Sequence, residues 1–389
     1  MIDKCSVCGK KIKTILKIPF KYTDNIFNDT YVQNIGICIN CGLIITQNPF
    51  NNTQLEDRYK NFSKFEFDDK DYILNDSKEY KERSKRQKFF IESNIDDKIT
   101  SILEVGASSG YNLSLYDGID ALGIEPSEKN CYLAKKIYNI DMFNGMFSDF
   151  KINNDKKYDL IFLSHTLEHI VNPYEFILEC KKMCNKYIFI EVPSLDYKYI
   201  NEPFGFFCEE HVNYFTLESL INLMNKAGFE IINAEIMIGS FSNLPAAFPS
   251  VVTLFKKEDY IKKKDICLNH SIDLLNKYIE VNRVELEKIK SFISNIPNDE
   301  RLAVWGTGHH VSMLLRNTDL DRKNIIKFYD SDSKKKGLTL IKKDIVPFYE
   351  DDITNGEIES ILIGTYTAQE VIADILKKYE NKVKIYKLY

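Results

Sequence analysis

Short apolar segments alternate with amphipathic ones along most of the chain. The apolar runs are typical of β-strands, and each ends in a glycine-containing or acidic turn followed by a helix-like pattern. This alternation extends from residue 100 to residue 237 and starts again after Pro297. Such alternation predicts a parallel sheet with helices on both faces, whose ligands bind at the carboxyl ends of the strands. The clearest examples are TSILEVGASSGYNL (100–113), DALGIEPSEKNCYLAKKI (120–137), KKYDLIFLSHTLEHI (156–170) and RLAVWGTGHHVSMLL (301–315).

Length and changes of pattern divide the chain into three segments. A chain of 389 residues exceeds what one hydrophobic core usually supports. We predict a small N-terminal module (1–65), a first α/β domain (66–250), and linking helices with a second, smaller α/β domain (251–389). The predicted fold class is therefore α/β, with two Rossmann-like units behind the N-terminal module.

Two Cys-x-x-Cys pairs mark the N-terminal module. Cys5 and Cys8 form the first pair, Cys38 and Cys41 form the second, and a glycine follows each. Four thiolates close a tetrahedral shell around zinc and leave no position for a catalytic water, so the spacing predicts a structural zinc site. A redox dithiol is the alternative, which the lack of a βαβ pattern around either pair disfavours.

Composition narrows the classes of function. The formal net charge is −5, and lysine runs are offset by neighbouring Asp and Glu, which argues against a protein that contacts many nucleic-acid phosphates. No apolar run is long enough to span a bilayer, and the chain starts with a charged, cysteine-bearing stretch rather than a signal peptide. We therefore expect a cytoplasmic protein without nucleic-acid or membrane partners, whose nine cysteines are metal ligands or buried thiols.

The first glycine-rich loop predicts a nucleoside-type ligand. It has the form Glu-x-Gly-x-x-x-Gly, and glycines in a first βα turn let the backbone approach a ligand closely. Glu125 ends the next strand, where a carboxylate can accept both hydroxyls of a ribose. Ribose recognition without the pyrophosphate glycine pattern predicts S-adenosylmethionine (SAM) rather than NAD. The candidate cofactor contacts in the loop are Glu104, Gly106, Ser108 and Gly110.

Further polar positions follow the other strands of the same unit. Pro126 lies in the turn after Glu125, and Ser148 falls where the loop of a third strand would meet an adenine ring. His165 and His169 follow the central strand at its ligand-facing end, and His165 joins the candidate cofactor contacts. Either histidine can instead be a polar residue satisfied within the fold. The His-x-x-x-His spacing does not predict a metal site, because the residues between the histidines do not match a zinc-protease helix.

Several motifs taken together resemble one enzyme family. In chain order they read CSVCG, CINCGLI, ILEVGASSGYNL, LGIEPSEKN, DLIFLSHTLEHI, FIEVPSL and CEEHVNYFTLESLINLMNKAGFEI. They resemble the three-domain sugar C-methyltransferases, which act on nucleotide-linked keto-deoxy sugars. DSDSKKKG (330–337) and DIVPF (344–348) extend the resemblance to nearly the whole chain. It implies a class I methyltransferase fold, SAM, structural Zn²⁺, and a C-terminal Rossmann-like domain that holds the nucleotide end of the substrate.

The resemblance also implies which residues act on the methyl acceptor. In that family a Tyr-x-Glu-His string supplies the base, and its last two residues fall on Glu210 and His211. His211 would remove a proton from the carbon beside a ketone, and the enolate would take the methyl group. Glu210 would orient the base or bind a sugar hydroxyl. The residues implied in substrate binding are His169, Tyr214, Gly306, Gly308, His309, Asp330 and Lys335.

Three departures from the family pattern leave the acceptor open. Cys208 stands where the family has a tyrosine, His165 where it has an asparagine, and residues 305–310 read Trp-Gly-Thr-Gly-His-His. A hydroxyl acceptor, giving an O-methylated sugar or glycan precursor, is therefore the main alternative. A zinc-ribbon RNA methylase and a non-catalytic SAM-binding scaffold are two further alternatives. The acidic charge disfavours the first, and the intact Glu104 and Glu125 disfavour the second.

Overall fold

The computed structural model describes residues 1–23, 30–50, 78–153, 155–239, 248–258 and 269–389. Three sheets carry the architecture of these ranges. The predicted boundary between residues 65 and 66 lies outside the described residues.

Strands and helices are numbered along the described chain. The strands are β1 Ile12–Phe20, β2 Tyr31–Cys38, β3 Ile44–Thr46, β4 Ser101–Val105, β5 Asp120–Glu125, β6 Asp141–Asn144, β7 Tyr158–Ser164, β8 Cys184–Pro193, β9 Asn213–Tyr214, β10 Phe229–Gly239, β11 Phe248–Lys257, β12 Leu302–Trp305, β13 Ile325–Tyr329, β14 Thr339–Leu340, β15 Lys343–Val346, β16 Ser360–Ile363 and β17 Lys384–Lys387. The α-helices are α1 Lys78–Ser93, α2 Tyr111–Ser114, α3 Glu128–Tyr138, α4 Phe147–Phe150, α5 Pro173–Met183, α6 Leu217–Ala227, α7 Asn269–Ser294, α8 His309–Asn317, α9 Glu350–Thr354 and α10 Gln369–Leu376.

The N-terminal sheet is antiparallel, with its four strands in the order β1-β2-β3-β9. Its first three strands come from the N-terminal module. The fourth, β9, comes from far downstream, between the central sheet's β8 and α6. The N-terminal sheet is thus completed by a strand of the first α/β domain.

The central sheet has seven strands in the order β10-β11-β8-β7-β4-β5-β6. Strands β4 to β8 are parallel, whereas β10 and β11 pair antiparallel with their neighbours. The chain adds β5 and β6 on one side of β4 and then β7 and β8 on the other. The carboxyl ends of β4 and β7 therefore flank the switch point at which such sheets bind ligands. The predicted α/β fold is confirmed.

Strand β11 crosses the predicted domain boundary between residues 250 and 251. It pairs with β10 along its length and with β8 from Ser250 to Lys256. These backbone hydrogen bonds make the whole strand part of the central sheet, because neither half can leave without breaking the ladder. The first α/β domain therefore extends to Lys257.

The C-terminal unit has a six-stranded sheet of its own, in the order β14-β15-β13-β12-β16-β17. All of these strands run parallel except β14, which pairs antiparallel with β15 at the edge. The second, smaller Rossmann-like unit is thus as predicted, and the 26-residue helix α7 leads into it. Neither α7 nor any other helix in the described ranges is both long and apolar enough to cross a membrane.

Shared apolar cores join the three sheets. Phe20 of β1, Tyr214 of β9 and Leu314 of α8 belong to one buried cluster. A second cluster packs the cysteine-bearing end of the N-terminal module against α6, through Val7 and Leu223 among others. Because each core contains side chains from more than one unit, the units hold one another in place.

Local sequence explains how the chain continues after β9. Thr216 and Ser219 form a capping box that starts α6: each side chain is hydrogen-bonded to the backbone N–H of the other. The helix ends at Gly228, whose φ of 88° places it in the left-handed region that favours glycine. The capping box and Gly228 therefore set the two ends of α6, the helix that follows the His211 loop and β9.

Replacing Gly228 with alanine should destabilise the protein more than the same change at Gly118. Both residues have positive φ, so both changes carry backbone strain of about 1 kcal/mol. A Cβ at position 228 would also clash with the Lys181 ammonium, which donates to the Glu258 carbonyl at 3.0 Å, whereas nothing lies within 4 Å at position 118. We expect about 1 kcal/mol of additional loss in urea-induced unfolding. Equal losses for the two variants would contradict this account.

Candidate active site

The loop after β4 is folded around the carboxylate of Glu125. The Ser108 N–H donates to Glu125 Oε2 at 2.9 Å, and the Ser127 N–H donates to Oε1 at 3.0 Å. Glu125 is buried at the end of β5, and burial raises the pKa of its carboxyl. The structure thus brings Glu125 and the glycine loop together at the carboxyl edge of the sheet, where the sequence predicts a ribose.

The two glycines of this loop serve close packing. Gly106 has a φ of 78°, and a Cβ there would lie 2.7 Å from Thr166 Oγ1, in the loop after β7. Gly110 has a φ of 74°, and a Cβ there would lie 2.9 Å from Met142 Cε on β6. Gly106 therefore lets the loops after β4 and β7 touch, whereas Gly110 lets α2 start close to the sheet.

Three buried polar atoms on α1 and β4 lack partners in the described part of the chain. They are Glu104 Oε2, Arg83 Nε and Gln87 Oε1. Burial raises the pKa of Glu104 to about 8, although the hydrogen bond from Asn112 and the charge of Arg83 act in the opposite direction. Such groups rarely stay unpaired in a native protein. An ammonium beside Glu104 and a carboxylate beside Arg83 would satisfy the unpaired atoms of these two residues, so Glu104 and Arg83 fit the methionine end of SAM.

Sequence reasoning missed Arg83 and Gln87. Both lie on α1, which precedes the glycine loop, and their spacing of four places them on one helix face. The spacing of four is visible in the sequence, but only tertiary packing decides which face of α1 lies against the central sheet. The remaining predicted cofactor contacts, Pro126 and Ser148, are exposed and follow β5 and β6 at the same edge of the sheet.

His165 is clamped between two buried carboxylates. Its Nδ1 lies 3.3 Å from Glu168 Oε1, and its Nε2 lies 3.3 Å from Glu191 Oε1. Burial and the charge of Arg83 lower the pKa of His165, but its close contacts with the Glu168 and Glu191 carboxylates outweigh them and raise it to about 9. Both ring nitrogens are therefore occupied within the fold. The structure thus gives His165, at a positive φ of 51°, a charge-balancing role, and its contact with the cofactor stays a prediction.

The loop that carries His211 is anchored by the N-terminal sheet. The Thr46 N–H donates to the Val212 carbonyl at 2.8 Å, and Thr46 Oγ1 donates to the His211 carbonyl at 3.1 Å. The Tyr214 hydroxyl lies 2.9 Å from the Cys208 carbonyl oxygen and accepts from Gln33 at 3.0 Å. Tyr214 is 1% exposed, so the structure gives it the role of a loop anchor in place of the predicted substrate contact.

His169 and His211 meet edge to face at the end of β7. Their ring centroids are 4.8 Å apart, and His169 Nδ1 donates to the Glu210 carbonyl at 3.0 Å. Burial lowers the pKa of His211 to about 3, and the neighbouring His169 adds to that effect. His211 is therefore neutral at physiological pH. Glu168 lies beside the two rings, and its pKa falls to about 2 because His165 outweighs the effect of burial.

The second glycine loop repeats the construction of the first. The Thr307 N–H donates to Asp330 Oδ2 at 3.0 Å, as Ser108 does to Glu125. Lys335 Nζ donates to the same Asp330 oxygen at 2.9 Å, and it holds the pKa of Asp330 below its usual range against the effect of burial. Gly306 and Gly308, predicted to contact substrate, lie on either side of Thr307.

Glu209 connects three units of the protein. Its Oε2 accepts from the Tyr22 hydroxyl at 2.9 Å and contacts His309 Nδ1 at 2.5 Å. The His309 ring packs on Phe20 with centroids 4.4 Å apart. The start of α8, the end of β1 and the His211 loop therefore meet at one carboxylate. Sequence reasoning missed Glu209, because an acidic residue beside Glu210 has no pattern of its own.

The four predicted zinc ligands converge. Sγ of Cys5 lies 3.4 Å from that of Cys41, Sγ of Cys8 lies 3.3 Å from that of Cys38, and all four lie within 4.8 Å. Tetrahedral zinc with bonds of about 2.3 Å needs sulfur atoms about 3.8 Å apart, which this cluster fits. Asn222 on α6 donates to the Cys41 carbonyl at 3.2 Å, so the cluster is tied to the central domain.

A family model described as a methyltransferase domain matches residues 54–234, which contain the glycine loop, Glu125 and the His211 loop. The sheet order around β4 agrees with it. The described part of this match has the class I methyltransferase fold. SAM is the methyl donor of enzymes with this fold, and the predicted contacts Glu104 and Glu125, together with Arg83, would hold it here.

Solved structures similar to this protein cover about half of its chain. A SAM-dependent methyltransferase from Methanosarcina mazei is 13% identical over 43% of this chain and 97% of its own, with a TM-score of 0.34. One from Archaeoglobus fulgidus is 17% identical over 48% and 99%, with a TM-score of 0.37. The 1,6-didemethyltoxoflavin-N1-methyltransferase of Burkholderia thailandensis is 12% identical over 56% and 96%, with a TM-score of 0.40. No curated protein matches the sequence.

We expect the purified protein to hold one zinc ion in the four-cysteine cluster. Replacing Cys38 with serine should abolish zinc binding and lower the melting temperature, because a structural metal contributes directly to folding. Metal analysis and thermal unfolding test this. Cys131→Ser, at a half-buried thiol outside the cluster, should keep the zinc. A zinc-free wild type, or zinc retained in Cys38→Ser, would refute the assignment.

Arg83→Ala should weaken the binding of S-adenosylhomocysteine by about tenfold or more, because a charge-assisted hydrogen bond is worth about 1.5–3 kcal/mol. Isothermal titration calorimetry measures the dissociation constant. Arg86→Ala is the matched control, since Arg86 lies on the exposed face of the same helix. If the two variants bind with equal affinity, Arg83 does not contact the methionine end.

Proposed function

We propose that this methyltransferase transfers the methyl group of SAM to the carbon beside the ketone of a nucleotide-linked keto sugar. The observation that carries the proposal is the state of His211. Its imidazole is neutral, its ring nitrogens make no hydrogen bond to any described residue, and it lies at the sheet edge beside the donor loop. A neutral imidazole at this place can accept a proton from the acceptor.

The environment of His211 suits proton transfer from carbon. The proton would pass to a ring nitrogen of His211, and the electrons of the C–H bond would form the enolate, with its charge on oxygen. SAM, when bound, supplies a methyl group that the enolate carbon takes as the methyl–sulfur bond breaks and S-adenosylhomocysteine leaves. The adjacent Glu168 carboxylate would stabilise the imidazolium, since it raises the pKa of His211 against the effect of burial.

The second glycine loop supports a nucleotide-linked substrate. Asp330 stands at the end of β13 as Glu125 stands at the end of β5, and each accepts from its own loop. A carboxylate at that position suits a ribose. Lys335 and the start of α8 offer positive charge for phosphates. The contact between His309 and Glu209 places this loop next to the residues beside His211.

Methyl transfer to a hydroxyl group is the second candidate. Cys208 stands where a tyrosine would donate to the keto oxygen, and burial raises the pKa of its thiol well above the usual range. A thiol is a weak donor and gives an enolate oxygen less support than a phenol would. An alcohol acceptor needs no such donor.

Proton exchange separates the two candidates. Wild-type protein incubated in heavy water with S-adenosylhomocysteine and nucleotide-linked 4-keto-6-deoxy sugars should place deuterium on the carbon beside the ketone. His211→Ala should lose this exchange by about two orders of magnitude or more, the usual contribution of a positioned base. Mass spectrometry of the recovered sugar measures it.

His270→Ala is the control, because His270 is exposed on α7 and contacts Asp196 rather than a residue of the candidate active site. It should exchange at the wild-type rate. If no keto sugar exchanges while S-adenosylhomocysteine binding is confirmed, carbon methylation is refuted and the hydroxyl acceptor is favoured.

A further inference from the structure

We propose that Glu168, His169 and His211 form a binding site for one divalent cation at the end of β7, beside the predicted SAM-binding loop. The three side chains each offer one ligand atom, and these atoms lie within 4.8 Å of one another. In the described part of the chain, the four-cysteine cluster is the other group of this kind. The inference goes beyond the proposed function and does not depend on which acceptor is methylated.

The tautomer of His169 prepares it for a metal. Its Nδ1 lies 3.0 Å from the Glu210 carbonyl oxygen, and a carbonyl can only accept, so Nδ1 carries the proton. The lone pair is then on Nε2. Metal-binding histidines commonly donate their other N–H to a carbonyl or carboxylate in this way, which fixes the ring and raises its basicity.

Glu168 supplies the independent observation. It is 1% exposed, and neither carboxylate oxygen accepts a hydrogen bond from the described residues. Among the described residues its ion-pair contact is with His165, whose Nδ1 lies 3.3 Å from Oε1. A buried carboxylate without hydrogen-bond donors is costly unless a cation meets it. A metal between Glu168 and the two imidazoles would satisfy its remaining lone pairs.

The backbone holds these ligands together although they are far apart in sequence. The Val212 N–H donates to the Glu168 carbonyl at 2.9 Å, which ties the His211 loop to the turn after β7. The ring nitrogens of His211 have no partner among the described residues and can turn to the cation. His165 is not part of this group, because its two ring nitrogens face Glu168 and Glu191.

The ligand set indicates which ion fits. Two imidazoles and one carboxylate suit first-row transition ions such as Mn²⁺, Fe²⁺, Co²⁺ or Zn²⁺ rather than Ca²⁺, which prefers oxygen ligands alone. Three protein ligands leave coordination positions open, as in catalytic metal sites. Those positions could take a ketone or hydroxyl oxygen of the acceptor and make it more acidic. A cation and a proton compete for the same lone pair, so His211 is a ligand when the cation is bound and a base when it is not.

Mn²⁺ tests the site without disturbing the thiol cluster, because manganese prefers nitrogen and oxygen ligands to thiolates. Full-length, zinc-loaded protein is titrated with MnCl₂, and free Mn²⁺ is followed by electron paramagnetic resonance. We expect one bound Mn²⁺ per chain. Glu168→Gln and His211→Gln should each weaken binding by about tenfold or more.

Two controls keep the test independent of folding and of the acceptor. His270→Ala should bind Mn²⁺ as the wild type does, and each variant must retain its zinc and melting transition. If Glu168→Gln unfolds, His169→Gln replaces it, because His169 is only partly buried. Absence of Mn²⁺ binding up to about 1 mM, or binding unchanged in His211→Gln, would overturn the cation site. The titration contains neither SAM nor sugar, so its failure leaves the deuterium-exchange result unaffected.

Discussion

The pairing of β9 with β3 is the constraint on which the acceptor side depends. Tyr214 and Asn213 pair with Ile44 and Ile45, and the Thr46 N–H reaches one residue further, to the Val212 carbonyl. A two-residue strand has little stability of its own, so it is ordered by the sheet that receives it. The loop that carries His211 is therefore built by the N-terminal module, although the methyl-donor site belongs to the central sheet.

Much of the fold could be predicted from local pattern, because strand–helix alternation and Cys-x-x-Cys spacing are written in neighbouring residues. The two α/β units and the convergence of the four cysteines follow from such patterns. β9 could not be predicted, since two residues carry no periodicity. The strand β11 was divided by the predicted boundary at residue 250, because its membership of the central sheet rests on hydrogen bonds to β8 and β10.

The candidate site shows the same division. Glu125 and its glycine loop share one βα unit, so their proximity was predictable. The partnership of His165 with Glu191 joins two strands, and that of Glu168 with His211 depends on the β3–β9 pairing. Tyr214 belongs to the motif that resembles the sugar methyltransferases, yet its hydroxyl donates to the Cys208 carbonyl and so holds the backbone of the His211 loop. Residue type can suggest a role, but only packing decides whether a polar atom faces the ligand or the fold.

The contact of Glu209 with both Tyr22 and His309 has an evolutionary consequence. A substitution in β1, in the His211 loop or at the start of α8 changes the contacts of the Glu209 carboxylate. Its effect therefore depends on which residues the other two segments carry. Such positions should show strong epistasis, because non-additive effects are expected among residues that share partners. New acceptor specificities would then arise by coordinated change in three segments that are distant in sequence, and a C-terminal unit exchanged alone would bring a poorly matched partner for Glu209.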